Sequence, residues 1–247
     1  MSETIAYTSY LAQCQAASPG ASKGERTRSK LLLCAAELLN EIGYRDIQIP
    51  AICKLAGMAT GSFYFHFKNK TEITLAVMAD FQAMILQQYD LQPKTGSNFD
   101  AVYRANLLWI SMARANPGLF RCLVQLSDEF PEFKEVCEQF DREWLQRVAR
   151  SIGRSAPKGG EADNQVFLLA AYALGGMLDQ FCKRLFVDRN QSLAETVSGA
   201  VQSDEELAEV LALLWYRSIY CMDPPGLKAR ASRHLLQIKG GDKAQAA

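Results

Sequence analysis

Histidine is almost missing from this chain, with only His66 and His234 in 247 residues. That leaves a Ser-His-Asp or Cys-His enzyme little material and rules out a histidine-rich metal centre. Cysteine is present, at Cys14, Cys34, Cys53, Cys122, Cys137, Cys182 and Cys221, but in odd number and never in C-x-x-C spacing. Neither a zinc site nor a disulfide framework is suggested, and the thiols read as small buried hydrophobes in a reducing, cytoplasmic setting. No segment alternates apolar and polar residues as a half-buried strand does. The longest apolar run, Val166 to Leu178, is too short to cross a bilayer. The first 24 residues lack the basic stretch and apolar core of a signal peptide. Acidic groups such as Glu132/Glu135 and Asp204/Glu205/Glu206 stand at expected helix starts, where they complement the helix dipole. No catalytic residue, metal or cofactor is expected, and an enzyme is the poorest class.

Net charge is absent too, with 27 basic and 27 acidic side chains, which argues against a nonspecific basic coating. The balance is uneven along the chain. From Gly20 to Glu72 eight basic residues face five acidic ones; from Ile73 to Pro225 there are 14 against 20; from Gly226 onward there are five against one. Positive charge therefore gathers at both ends. The hydrophobic share of 49% is that of a globular protein able to bury a full core.

Residues 1 to 24 are rich in Ser, Thr, Ala and Gln and read as a flexible arm. From Arg26 the positions Leu31, Leu32, Cys34, Ala35, Leu38, Leu39 and Ile42 recur at helical spacing, and Gly43 stands where a helix stops. Two short helices follow, at about Pro50 to Ala56 and Thr60 to His66, separated by Gly57-Met58-Ala59, where glycine permits a sharp turn. A long helix then runs from Lys70 to about Tyr89. Breaks near Pro93, Pro117, Pro131 and between Ser151 and Gly160 delimit further helices at about 98–115, 118–127, 131–150, 162–186 and 203–221. Pro224-Pro225 precedes a loose basic tail. The expected organisation is an arm at 1–24, a helix-turn-helix domain at 25–72, a helical ligand-binding and dimerisation domain at 73–222, and a tail at 223–247.

The segment from Gly43 to Lys70 carries the functional signal. Small Cys53 lets two helices approach, Ile49, Ile52, Ala56, Met58 and Phe63 fill their shared core, and the second helix is left free to offer residues to a duplex groove. Ile52, Leu55-Ala56-Gly57, Gly61, Tyr64, His66-Phe67 and Lys70, preceded by Ile42-Gly43-Tyr44, resemble the tetracycline-repressor (TetR) family of regulators over about 50 residues, Arg26 to Thr74. The chain departs from that family at Gln48, where Thr commonly caps the helix, at Cys53, often Ala, and at Ala59, often Ser; Thr60 becomes the candidate cap of the recognition helix.

The resemblance implies an all-α fold, with an N-terminal three-helix DNA-binding domain followed by a larger helical ligand-binding and dimerisation domain. It also implies roles by position. Tyr64, His66 and Lys70 would meet the phosphate backbone, with Arg26, Arg28, Lys30 and Arg45 adding charge. Thr60, Gly61 and Ser62 would face bases, and Phe65 a thymine methyl. Phe63, Phe67 and Cys53 read as core. The implied partners are a roughly palindromic DNA operator, a second copy of the chain and a small-molecule effector, in a repressor released by that effector.

In the second domain, Met84, Tyr103, Trp109, Met112, Phe120, Phe140, Trp144, Phe167 and Tyr172 are candidates for a ligand pocket between helices. Phe167, Ala170, Leu174, Met177, Leu178 and Phe181, with Leu207, Leu211 and Leu214, are candidates for the dimer interface. The net negative middle of the chain suits a compact apolar or aromatic effector, cations included, better than a polyanion. Two alternatives stay open: a DNA-binding organiser or partner-gated regulator without a small ligand, and an oxidation sensor built on an exposed thiol of lowered pKa.

Overall fold

The computed structural model describes residues 6–153 and 161–237, and among them there are helices and no strands. The loop expected up to Gly160 falls largely outside these residues, at 154–160, as does the end of the tail with Lys239 and Lys243.

The N-terminal arm is corrected by the structure. Tyr7–Ala16 form helix α1, whose Tyr7 and Leu11 are buried. The Tyr7 amide donates to Asn116 Oδ1 at 2.8 Å and its hydroxyl reaches Asp80 at 3.3 Å, so long-range contacts order a segment whose local composition promises none. Helix α2 (Lys23–Glu41) begins in a capping box: Ser22 Oγ accepts from the Glu25 amide, and Glu25 accepts from the Ser22 amide. These bonds hold the Glu25 carboxyl below its ordinary pKa. The helix ends before Gly43, whose φ of +80° reverses the chain into a single turn, α3 (Gly43–Asp46).

Helix α4 (Ile49–Leu55) starts without a side-chain cap at Gln48, with Pro50 in its first turn. Its end is a Schellman motif. Met58 N–H bonds Cys53 C=O at 3.0 Å and Gly57 N–H bonds Lys54 C=O at 3.1 Å, with Gly57 at φ +66°. The chain then enters α5 (Thr60–Phe63), shorter than the periodicity suggested, and α6 (Lys70–Asp90), capped by Asn69.

The body comprises α7 (Asn98–Ala115), α8 (Pro117–Glu129), α9 (Pro131–Gly153), α10 (Glu161–Cys182), which continues as a π-helical turn at Lys183–Val187, α11 (Gln191–Ala200), α12 (Asp204–Tyr220) and α13 (Arg230–Leu236). Pairs α7/α12, α9/α10 and α8/α9 form most of its packing. Helix α11 is missing from the sequence reading. So is α13, which corrects the loose tail: the buried Glu209 carboxylate accepts from the Lys228 and Ala229 amides, and Arg217 donates to the Leu235 carbonyl.

Helix α10 separates into two stripes. Ala171, Leu178 and Cys182 are buried, and Gly175 lies against Leu145 of α9. Val166, Leu169, Tyr172 and Met177 are exposed. By length and composition alone the span Asn164–Val187 is long and apolar enough to cross a membrane, with mean hydropathy 1.2, although Asp179, Lys183 and Arg184 interrupt it.

One core runs without a break from α2, α4 and α6 into α7, α8 and α9. At its narrowest point Gly118 of α8 lies on the backbone of Asn40 in α2, so close that a Cβ would collide with the Asn40 carbonyl and Cα, while its amide donates to Asn40 Oδ1 at 2.9 Å. Backbone on both sides leaves nothing to yield. Gly118→Ala should therefore cost about 1–3 kcal/mol and lower Tm by roughly 5 °C; an unchanged thermal denaturation curve would show that the two helices slide apart freely.

Candidate nucleic-acid interface

Phe63 and Phe67, both buried, clamp the recognition segment to the head, and the Phe67 amide closes the turn on the Phe63 carbonyl at 3.0 Å. The residues between them point outward. Tyr64 is 58% exposed and Phe65 88%. A phenyl ring left in water gains nothing for the free protein, so Phe65 is available for an external apolar contact. Thr60 and Gly61 are exposed, Ser62 and His66 half-buried, all on the same short element. Nothing lies within 4 Å of a Cβ built on Gly61.

Thr60 is not the cap expected of it. Ala59 occupies that position without a side-chain bond, and the Thr60 hydroxyl turns instead to the Cys53 thiol. Burial raises the Cys53 pKa more than this bond lowers it.

The basic residues converge on the same element from α2. Arg28 lies over the Phe67 ring at 5.0 Å, and Lys30 Nζ stands 3.8 Å from the position of a Cβ on the turn glycine Gly57. Arg26 donates to the Ala21 carbonyl at 2.5 Å, and Arg45 is exposed on α3. Among the described residues no ion pair neutralises Arg26, Arg28, Lys30 or Arg45, so their field faces solvent. Lys68, exposed beside Phe67, joins them, a basic group that the family resemblance does not single out.

Lys70 departs from the expected phosphate contact. Its ammonium donates to the Tyr44 carbonyl at 3.0 Å and sits 4.4 Å from the centre of the Tyr44 ring. Tyr44 in turn bonds Thr71 at 3.1 Å and meets Phe130 and Phe133 edge-on, 5.6 and 6.3 Å between centroids. Lys70 is thus committed to the joint between head and body.

The candidate pocket residues divide. Trp109 and Trp144 wall a narrow cavity between α7, α9, α10 and α12, and Phe120 and Phe140 share a neighbouring groove of about 400 Å³ with Trp109. Met112 is core, and Met84, also buried, borders a different groove beneath α1. Tyr103 and Phe167 pack against core clusters, and Tyr172 points away on the outer stripe of α10. Of the candidate dimer residues, Leu178, Leu207 and Leu211 are buried inside the protomer, which leaves them no surface to offer a second copy; Met177 and Leu214 are exposed.

Asp179, missed in the sequence because it ends an apolar run, borders both cavities. It reaches solvent through them yet is packed round by protein. That enclosure first, and then Asp141, pushes its carboxyl up to about 7, opposed by the Trp109 indole N–H. Five thiols, those of Cys34, Cys53, Cys122, Cys137 and Cys182, are also raised, chiefly by burial, which disfavours thiolate chemistry at each.

Residues 31–77 match the model of "Bacterial regulatory proteins, tetR family". The regulator EthR of Mycolicibacterium smegmatis is 22% identical over 205 residues, spanning 82% of this chain and 90% of EthR. The structure resembles Salmonella enterica GusR (TM-score 0.62, 17% identity, 81% of this chain and 98% of that one). It also resembles a Saccharomonospora viridis transcriptional regulator solved with choline (TM-score 0.56, 18% identity, 68% and 90%).

Two outcomes are expected. Phe65→Ala and Gly61→Ala should leave Tm unchanged within about 1 °C, since neither residue packs against the protein, yet weaken duplex binding severalfold in a mobility-shift assay; a loss of stability without a loss of binding would make these residues structural. Asp179→Asn should raise Tm by ~2–4 °C at pH 8, a modest figure because water reaches the carboxylate. The raised pKa means that ionising Asp179 costs the folded state stability as pH climbs from about 4 to about 7, so the advantage of Asn should fade toward pH 4. A difference in Tm independent of pH would refute the assignment.

Proposed function

We propose that this chain, a DNA-binding transcriptional regulator of the tetR family, acts as a homodimeric repressor that leaves its operator when a small molecule occupies the body. The observation that carries the DNA-reading half is the outward Tyr64-Phe65 pair held between two buried phenylalanines. Tyr64, His66, Arg26, Arg28, Lys30 and Arg45 meet phosphates, while Thr60, Gly61, Ser62 and Phe65 meet base edges. Four residues on one short turn read few base pairs. A second copy doubles the contact area and fixes the half-sites about 34–36 Å apart.

The outer stripe of α10 supports the dimer. Val166, Leu169 at 70% exposure, Tyr172 and Met177 form an apolar stripe with no cover inside the protomer, and Leu214 of α12 is exposed as well. Ala170, Leu174, Phe167 and Phe181 flank it, half-buried.

The cavity supports effector control over partner control, because Trp109 of its wall touches Phe120 of α8 edge-on at 5.3 Å. The first turn of α8 is the one seated on Asn40. A ligand that shifts Trp109 moves α8, and with it α2 and the recognition segment. It need only favour the DNA-incompetent arrangement by about 1–3 kcal/mol to loosen operator binding roughly 5- to 150-fold.

Selection from random duplexes should yield a two-fold symmetric site bound by a dimer. Leu169→Arg should give a folded monomer in sedimentation, with operator affinity reduced at least about tenfold, the equivalent of 1.4 kcal/mol. An undisturbed dimer would place the interface on another face, and sequence-independent binding alone would overturn the repressor.

A further inference from the structure

Four buried side-chain polar atoms among the described residues have no hydrogen-bond partner: Asn106 Nδ2, Trp109 Nε1, Trp215 Nε1 and Ser232 Oγ. The first three belong to residues lining one cavity, that between α7, α9, α10 and α12. All three are N–H donors on side chains at least nine-tenths buried. An unpaired buried donor forfeits its bond to water and gains nothing in return. Trp109 Nε1 is directed at Asp179, whereas Asn106 Nδ2 and Trp215 Nε1 make no hydrogen bond.

From this clustering we infer that the effector is an apolar molecule bearing a carbonyl oxygen, of the ketone, ester, lactone or amide class, which accepts hydrogen bonds from Asn106 Nδ2 and Trp215 Nε1. The inference rests on the effector-gated reading above and specifies its ligand. Trp144, Leu145, Val148 and Leu178 give the wall an apolar stretch that suits a hydrocarbon body, while Asp179, itself a hydrogen-bond acceptor, stands at its edge.

Two observations oppose a cationic effector, which the overall charge map left open. Phe140 lies nearly parallel to Trp109 and to Trp144, and the two tryptophans meet at a tilt of 37°, with centroids 5.4–6.2 Å apart, so the three rings pack against one another and are not splayed as an open aromatic cage. The inner cavity, about 40 Å³, also shares Tyr89, Ala101, Ala105 and Ser151 with an outer groove of about 330 Å³ that is rimmed by Arg104, Arg147 and Arg150. A basic rim repels a cation and admits an oxygen-bearing neutral molecule. The inner end accommodates a water or a small head group before the helices part.

All three tryptophans of the chain line this cavity, so tryptophan emission reports on it directly. The test titrates the full-length protein, without DNA, with cyclohexanone, with its isostere methylenecyclohexane, and with cyclohexyltrimethylammonium, following emission and Tm. Cyclohexanone should bind at least about tenfold more tightly than the alkene, and Asn106→Leu should bring that ratio near one. Without ligand, Asn106→Leu should keep or raise Tm, because it removes an unpaired donor. Equal binding of ketone and alkene, preference for the cation, absence of binding by any probe, or a lower Tm for the free variant would each overturn the inference. Operator release is measured separately. Release by ketone and alkene alike would sink the carbonyl assignment and leave effector gating standing, whereas ketone binding without release would do the reverse.

Discussion

The contact of Gly118 with the Asn40 backbone sets the relation between head and body, and most of the molecule is arranged around it. Because both partners are main chain, the approach has no soft coordinate: α8 cannot move while α2 stays. Neighbouring contacts reinforce the joint. Tyr44 carries Lys70 on one side and the Phe130/Phe133 pair on the other, and the Cys122 thiol lies 3.9 Å from the Leu39 carbonyl. Helix α1 adds a third tie, bonding Asn116 just before α8 and, through Gln15, the Ser29 carbonyl of α2 at 2.9 Å.

This joint lies between the two surfaces that matter. On one side, α2 delivers Arg28 and Lys30 to the recognition turn. On the other, α7 carries Asn106 and Trp109 along the cavity and ends at Ala115, with Asn116 alone between it and the start of α8. A displacement at the cavity wall has a short, stiff route to the head, through one helix end and one glycine. Rigid transmission of this kind suits a two-position device better than a gradual one.

Much of the head was legible in the sequence because its information is local. The glycine at 57, the small residue at 53 and the alternation of buried Phe63 and Phe67 with outward Tyr64 and Phe65 are set by turn geometry and helical period within 15 residues. The body was legible as helices and breaks, yet not in the facing of those helices. Helix α10 is apolar nearly all round, so period alone could not separate the inner Leu178 from the outer Leu169. Helices α1 and α13 were invisible for another reason: they are held by partners about 109 and 20 residues away, Asn116 and Glu209, which composition does not encode. The same holds for Lys70, whose spacing fits a phosphate contact and whose partner in the fold is Tyr44.

In the proposed repressor, occupancy of the cavity alters the separation of the two recognition turns through the α8–α2 joint. The most direct measurement is the distance between spin labels introduced at Lys54, exposed on α4, in the dimer, first on its selected operator duplex and then with the cavity filled by cyclohexanone. Transmission through the joint requires one narrow distance on DNA and a distinct, shifted one on filling the cavity. The same distance in both states would contradict it.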